Sequence, residues 1–159
     1  MRAGRLTRVA LAALLAVGGT ASAKDRLPPF PQGLYGDVAL GEESGDLGGF
    51  EVRFFVDEAG RRMAEFTLCE GWCNIAYTAE VTREGEGFVF GHVEVLESSN
   101  GTREEHRVGY RVVPRGRALL VTYIYDGEPF NAAAPWRIAP RRKPFGLTVA
   151  RGEEGQGRP

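Results

Sequence analysis

FVFGHVEVLESSNGTREEHRVGYRVV, residues 88 to 113, is two alternating runs on either side of Asn100-Gly101. Apolar side chains recur at every second position, the period of a half-buried strand. Asn-Gly is the dipeptide favoured by a two-residue type I′ turn, whose two central residues both take positive φ. Such a turn predicts Val95 opposite His106, Val93 opposite Val108, Gly91 opposite Tyr110 and Val89 opposite Val112. Downstream, a turn at Arg115-Gly116 predicts Val112 opposite Leu119, Tyr110 opposite Val121, Val108 opposite Tyr123 and His106 opposite Tyr125.

Working upstream, Phe50, Val52, Phe54 and Val56 share one face. A three-residue loop ending at Gly60 sets them opposite Leu68, Phe66, Ala64 and Arg62. A further hairpin pairs Val81 with Val89 and Tyr77 with Val93. In this register one apolar face runs through six strands, and agreement between independent turns argues for the pairing. Another strand is expected at Leu34–Leu40, with short apolar pieces at Trp136–Ala139 and Phe145–Ala150. No segment beyond the leader carries a 3.6-residue stripe long enough for a helix. The fold class is therefore all-β: a single-domain antiparallel up-and-down β-barrel of eight or nine strands, with a closed β-sandwich as the alternative. Closure also removes exposed sheet edges. A lipid-embedded barrel needs an apolar outer band, whereas the outward positions here include Glu51, Arg53, Glu65, Glu80, Glu94, Arg107 and Arg111.

The ends of the chain read differently. Residues 1–23 carry Arg2, Arg5 and Arg8, an apolar run from Val9 to Val17, and Ala21-Ser22-Ala23. This is the pattern of a secretory signal peptide cleaved after Ala23, and it predicts a periplasmic or secreted protein. The apolar run is much shorter than the roughly 20 residues of a membrane-spanning helix. Residues 24–33 form an extended Pro-rich lead-in, 34–151 the barrel domain, and 152–159 a polar, Gly-rich tail expected to be disordered. The whole chain has 20 basic and 21 acidic residues; without the three leader arginines the balance is 17 to 21, a net charge of −4. That excludes the basic face nucleic-acid binding calls for. Arginine greatly outnumbers lysine, as in proteins from GC-rich bacterial genomes.

The lead-in, then Gly33-Leu34-Tyr35-Gly36, then a meander of hairpins in a chain with an export signal, resembles the calycin superfamily, the lipocalin-like barrels. Their first strand carries Gly-x-Trp, and tyrosine stands here in the tryptophan's place. A basic residue after the last strand, matched here to Arg151, also resembles that family, in which it packs over the aromatic. The resemblance implies a cup-shaped barrel that binds a small apolar or amphipathic molecule.

The register brings Tyr77, Tyr110, Tyr123, Tyr125 and His106 to one inner wall, with Ala79 and Gly91 leaving space. An apolar surface with a few convergent polar groups is what a small-molecule site requires. The candidate ligand-binding residues are thus Tyr77, Gly91, His106, Tyr110, Tyr123 and Tyr125. The same aromatics also suit a solid barrel, with their hydroxyls satisfied at the rim or by buried water. No catalytic or metal centre is expected, nor any cofactor. The two histidines fall on opposite faces, His92 outward and His106 inward. Phe88, Phe90, Leu120 and Ile124 point outward and form a candidate interface. The lead-in or the C-terminal segment could cover it; otherwise an envelope protein partner or a homodimer would bind there. Acidic loops at 42–46 and 126–131 lack the spacing of a calcium loop.

Two cysteines close together in an oxidising compartment predict a disulfide. A two-residue turn at Gly71-Trp72 would turn Cys69 and Cys73 to opposite faces. A bulge near 69–74 lets the pair bridge while the strands keep their apolar faces inward. The expected function is an exported, non-catalytic binder of a small amphipathic molecule. The alternative is an inhibitor or interaction module with a solid barrel.

Overall fold

The computed structural model describes residues 27–73 and 75–154. The signal peptide read at 1–23, the start of the lead-in and tail residues 155–159 lie outside the described residues. The strands are β1 (Gly33–Gly36), β2 (Ala39–Leu40), β3 (Leu47–Val56), β4 (Arg62–Gly71), β5 (Tyr77–Glu80), β6 (Thr82–Glu84), β7 (Gly87–Glu97), β8 (Arg103–Arg115), β9 (Ala118–Tyr125), β10 (Glu128–Pro129) and β11 (Trp136–Pro140). One helix follows, α1 (Gly146–Glu154).

Nine of these strands form one antiparallel path, β5-β4-β3-β1-β11-β9-β8-β7-β6. Its two ends are halves of one stretch of chain. β5 pairs with β4, β6 pairs with β7, and Val81 between them donates its amide to the Arg62 carbonyl at 2.7 Å. This change of partner draws the sheet into a nearly closed barrel.

The β3–β4 hairpin folds in the predicted register, β8–β9 is displaced by two positions, and β7 is displaced by one against both neighbours, with Thr82 and not Val81 facing Val89. β3 and β4 pair Phe50 with Leu68, Val52 with Phe66 and Phe54 with Ala64. Asp57 fixes that turn, its Oδ1 accepting the amides of Ala59 and Arg61, while Gly60 takes φ +80°. Between β8 and β9 the turn is Gly116-Arg117, so Val112 faces Val121 and Tyr110 faces Tyr123. That differs from the expected register by two positions, which leaves every side chain on its expected face.

The β7–β8 hairpin differs by one. Ser98 donates its amide to Thr102 O, and Gly101 donates its own to Ser98 O with φ +81°. The connection is a three-residue loop, a tight turn closed by a left-handed glycine. Asn100 serves it by side-chain chemistry, its Oδ1 accepting the Thr102 amide at 2.9 Å. Phe90 therefore faces Tyr110, His92 faces Val108 and Glu94 faces His106. A slip of one residue turns a whole strand over. Phe88 and Phe90, expected on an outer patch, are core residues with 0% and 4% exposure. Gly91, expected on the inner wall, lies on the outer face across from Gly109.

The core runs through the barrel as stacked aromatics. Phe50 lies on Tyr110 with ring centroids 4.6 Å apart, and Phe66 meets Phe90 edge-on at 5.0 Å. At one end the lead-in turns inward: Phe30 packs on Phe54 at 5.7 Å and on Phe88 at 5.5 Å, and Arg83 Nη2 donates to Pro28 O at 2.7 Å. Phe30 therefore plugs the barrel instead of covering an outer patch.

A second, smaller core lies outside the barrel wall. Val38, Leu47, Cys69, Cys73 and Ala150 pack together under α1. Phe145–Ala150, expected as a strand piece, enters this helix, and residues 152–154, expected as tail, end it. Glu51 alternates outward as expected, yet it is fully buried, accepting the amides of Phe145 and Leu147 at the helix start. Nine residues make a helix too short to stand alone; this buried carboxylate and the apolar contacts hold it.

Candidate functional site

The end opposite Phe30 is open. A cavity of about 240 Å³ lies there, lined by Leu68, Glu70, Trp72, Ile75, Tyr77, His92, Glu94, Val108, Tyr110 and Tyr123. The inward alternation of β4, β7, β8 and β9 supplies most of this lining. Tyr110 forms the floor, stacked on Phe50 below it, and its neighbour Tyr123 continues the wall toward Tyr125 at the rim.

Of the six expected ligand-binding residues, Tyr77, Tyr110 and Tyr123 line this cavity. Tyr125 and His106 stack on each other at 5.0 Å. His106 Nδ1 lies 2.8 Å from Asp126 Oδ2, and Arg107 donates its amide to the other oxygen of that carboxylate at 2.7 Å. The Asp126 hydrogen bond raises the His106 pKa above its ordinary value, and the same bond lowers that of Asp126. Gly91 is on the outer face, where an added Cβ would sit 2.1 Å from Val108 O.

The turned strand brings in two residues expected outside. His92 lies parallel to Tyr77 with centroids 3.6 Å apart, and burial lowers its pKa. Glu94, expected on the outer face, enters the cavity wall instead. Burial raises the pKa of Tyr77 and of Tyr123, and the Glu94 carboxylate adds to both shifts. The Tyr110 hydroxyl is held protonated by burial in the same way. The tyrosines therefore stay neutral while the acids surround them. Two signals for Glu94 were legible: a strand facing Phe88 and Phe90 inward buries more apolar surface than one facing Val89 and Gly91, and Glu94 shares their parity.

Of the expected interface set, Leu120 and Ile124 remain half-buried on the outer face, without their two phenylalanines. At the mouth, Asp126-Gly127 forms a hairpin turn between β9 and β10, both residues at positive φ. Beyond it Asn131 extends the sheet with its side chain, accepting the Tyr123 amide at 2.7 Å and donating to Val121 O at 3.1 Å. This anchors exposed Phe130 against Tyr123 and Tyr125.

Cys69 and Cys73 are joined by a disulfide, with Cα atoms 4.3 Å apart. From that bridge to the Phe66–Tyr77 pair, β4 advances three residues and the returning chain four. That one-residue excess is how the cysteines face each other while Phe66 and Tyr77 both point inward. Among the described residues no group of three His, Cys, Asp or Glu side chains could hold a metal ion. No described helix is long and apolar enough to cross a membrane.

Arg141, the basic residue that follows the last strand, reaches back to β1. Its Nη2 donates to Val38 O at 2.9 Å and its Nε to Gly36 O at 3.3 Å. Arg151, matched to that role from the sequence, is on the helix and donates to Glu65 through Nε at 2.8 Å. Comparison with protein-family models, curated proteins and solved structures finds no match to this chain.

Proposed function

We propose that this is an exported β-barrel that binds a small amphipathic molecule in its open cup. The observation that carries the reading is the asymmetry of the barrel interior. One end is filled by Phe30, Phe54 and Phe88, while the other opens on a cavity of about 240 Å³. Its walls combine Leu68, Val108 and Ile75 with convergent hydroxyl, imidazole and carboxylate groups, the composition of a site for a ligand with apolar and polar parts. The volume suits a small ligand, at or below the low end of drug-sized sites.

Export is supported by the signal-peptide pattern at 1–23 and by a disulfide buried beneath α1. The lipocalin-like resemblance agrees with an antiparallel meander whose first strand lies between β3 and β11, and with Arg141 donating to the carbonyls of Gly36, at the end of β1, and Val38 just beyond it. The test is native mass spectrometry of the oxidised protein purified from its own host. A co-purifying small molecule, reduced in the Tyr77→Phe/Tyr123→Phe variant, is the expected result. Protein that is consistently empty, with a cup that takes up nothing from a host metabolite extract, would remove the reading.

A further inference from the structure

We infer that the ligand of this cup is a small organic cation, an ammonium group carried on an apolar body. The inference rests on the proposed binding role of the cup and names the chemical class of its occupant. Glu70 and Glu94 both line the cavity, and no Lys or Arg does. Neither carboxylate is in an ion pair within 4.0 Å among the described residues, and the basic side chain across from Glu94 is His106. His106, the basic group at the rim, is matched by Asp126. Glu94 and Glu104 also act on that imidazole, so one histidine stands against several carboxylates and the cup carries net negative charge.

A second, independent observation points to a ligand. Tyr110 is a polar side chain with only 2% exposure, and its hydroxyl has no hydrogen-bond partner among the described residues. That hydroxyl lies within electrostatic reach of Tyr77, Tyr123, Glu70 and Glu94, at the floor of the same cavity. The hydroxyl opens onto the cavity, so a guest there can bond it in place of water. A metal ion does not fit, because no cluster of ligating side chains exists there among the described residues. The exposed ring of Trp72 offers what an organic cation uses and a hydrated metal ion does not, a negative π-surface. An ammonium group would donate to the carboxylates through short charge-assisted hydrogen bonds. Its apolar body would lie on Leu68, Ile75 and Val108.

Three probes with one body and three charges test this: 3-phenylpropylammonium, 3-phenylpropanol and 3-phenylpropionate. Each is titrated into the oxidised protein by calorimetry and by the fluorescence of Trp72 and Trp136. The cation is expected to bind at least about tenfold more tightly than the alcohol, with the carboxylate weakest. Glu94→Gln and Glu70→Gln should each cut the cation's advantage over the alcohol several-fold. Circular dichroism melts check that both variants fold, and Tyr110→Phe should weaken the cation without emptying the core. Alcohol and cation binding equally would overturn the charge assignment and leave the cup as a ligand site. Binding of none of the three at millimolar concentration would overturn both.

Discussion

Glu51 on β3 and Leu147 on α1, 96 positions apart in the chain, are joined by a buried hydrogen bond of 2.9 Å from the Leu147 amide to the Glu51 carboxylate. The Phe145 amide donates to the same carboxylate at 3.0 Å. First-turn amides lack partners within their own helix, and the positive helix start favours an anion beside it.

Glu51→Ala should leave those amides buried and unpaired, at a cost of about 2 to 4 kcal/mol. Glu51→Gln keeps an acceptor and should cost roughly half as much. Urea unfolding measures both, and hydrogen exchange at Leu147 should accelerate before the barrel opens. Unchanged exchange there would show that the helix docks by apolar contact alone.

The two histidines should titrate on opposite sides of 6.5. Asp126 raises His106, and burial beside Tyr77 lowers His92. The stability contributed by His106 is fully present below its unfolded value of 6.5 and fades as pH rises through its raised folded value. The Asp126 contribution is present above 3.8 and fades as pH falls through its lowered folded value. The pair thus holds the mouth best in mildly acidic solution. Asp126→Asn should bring the His106 midpoint down toward 6.5 in an NMR titration, with His92 unmoved.

Gly91→Ala should destabilise by at least about 2 kcal/mol, because the atom it would meet is the backbone oxygen of Val108. Gly152, inside α1 with open space around it, gives the opposite sign: Ala there should stabilise by up to about 1 kcal/mol. Thermal melts of the two variants compare them directly. Phe90→Ala belongs with the first, as a core truncation of about 3 to 5 kcal/mol.

Removing the Cys69–Cys73 bond as a double Ser variant should cost about 2 kcal/mol, the chain-entropy value for so short a loop. Both cysteines are buried. Alkylation after a brief reductant pulse should therefore label the native protein only as fast as α1 lifts or the domain unfolds. Rapid labelling in native buffer would show that the helix does not shield the bond.

How far the sequence could be read depended on parity. The β8–β9 turn lies one residue beyond its expected place, which shifts the register by two and changes no face, so Tyr110 and Tyr123 stand where the alternation puts them. The β7–β8 turn was misplaced by one, because Asn-Gly suits both a two-residue turn and a three-residue loop with glycine left-handed. That single choice moved Phe88 and Phe90 from core to surface and hid Glu94 and His92 from the cup. The weight of two phenylalanines against Val89 and Gly91 is the corrective signal. The helix was not legible for a different reason: its stability comes from Glu51, far away in the chain, and not from its own nine residues.

The Phe30 plug makes the barrel a container with one door. A molecule in the cup must arrive and depart past the same rim, where Phe130 stands exposed. By microscopic reversibility, trimming a rim side chain that touches only the passing molecule speeds entry and exit by the same factor. Exchange rates would then shift while the equilibrium constant stays fixed, a signature that separates the residues of the doorway from those of the chamber behind it.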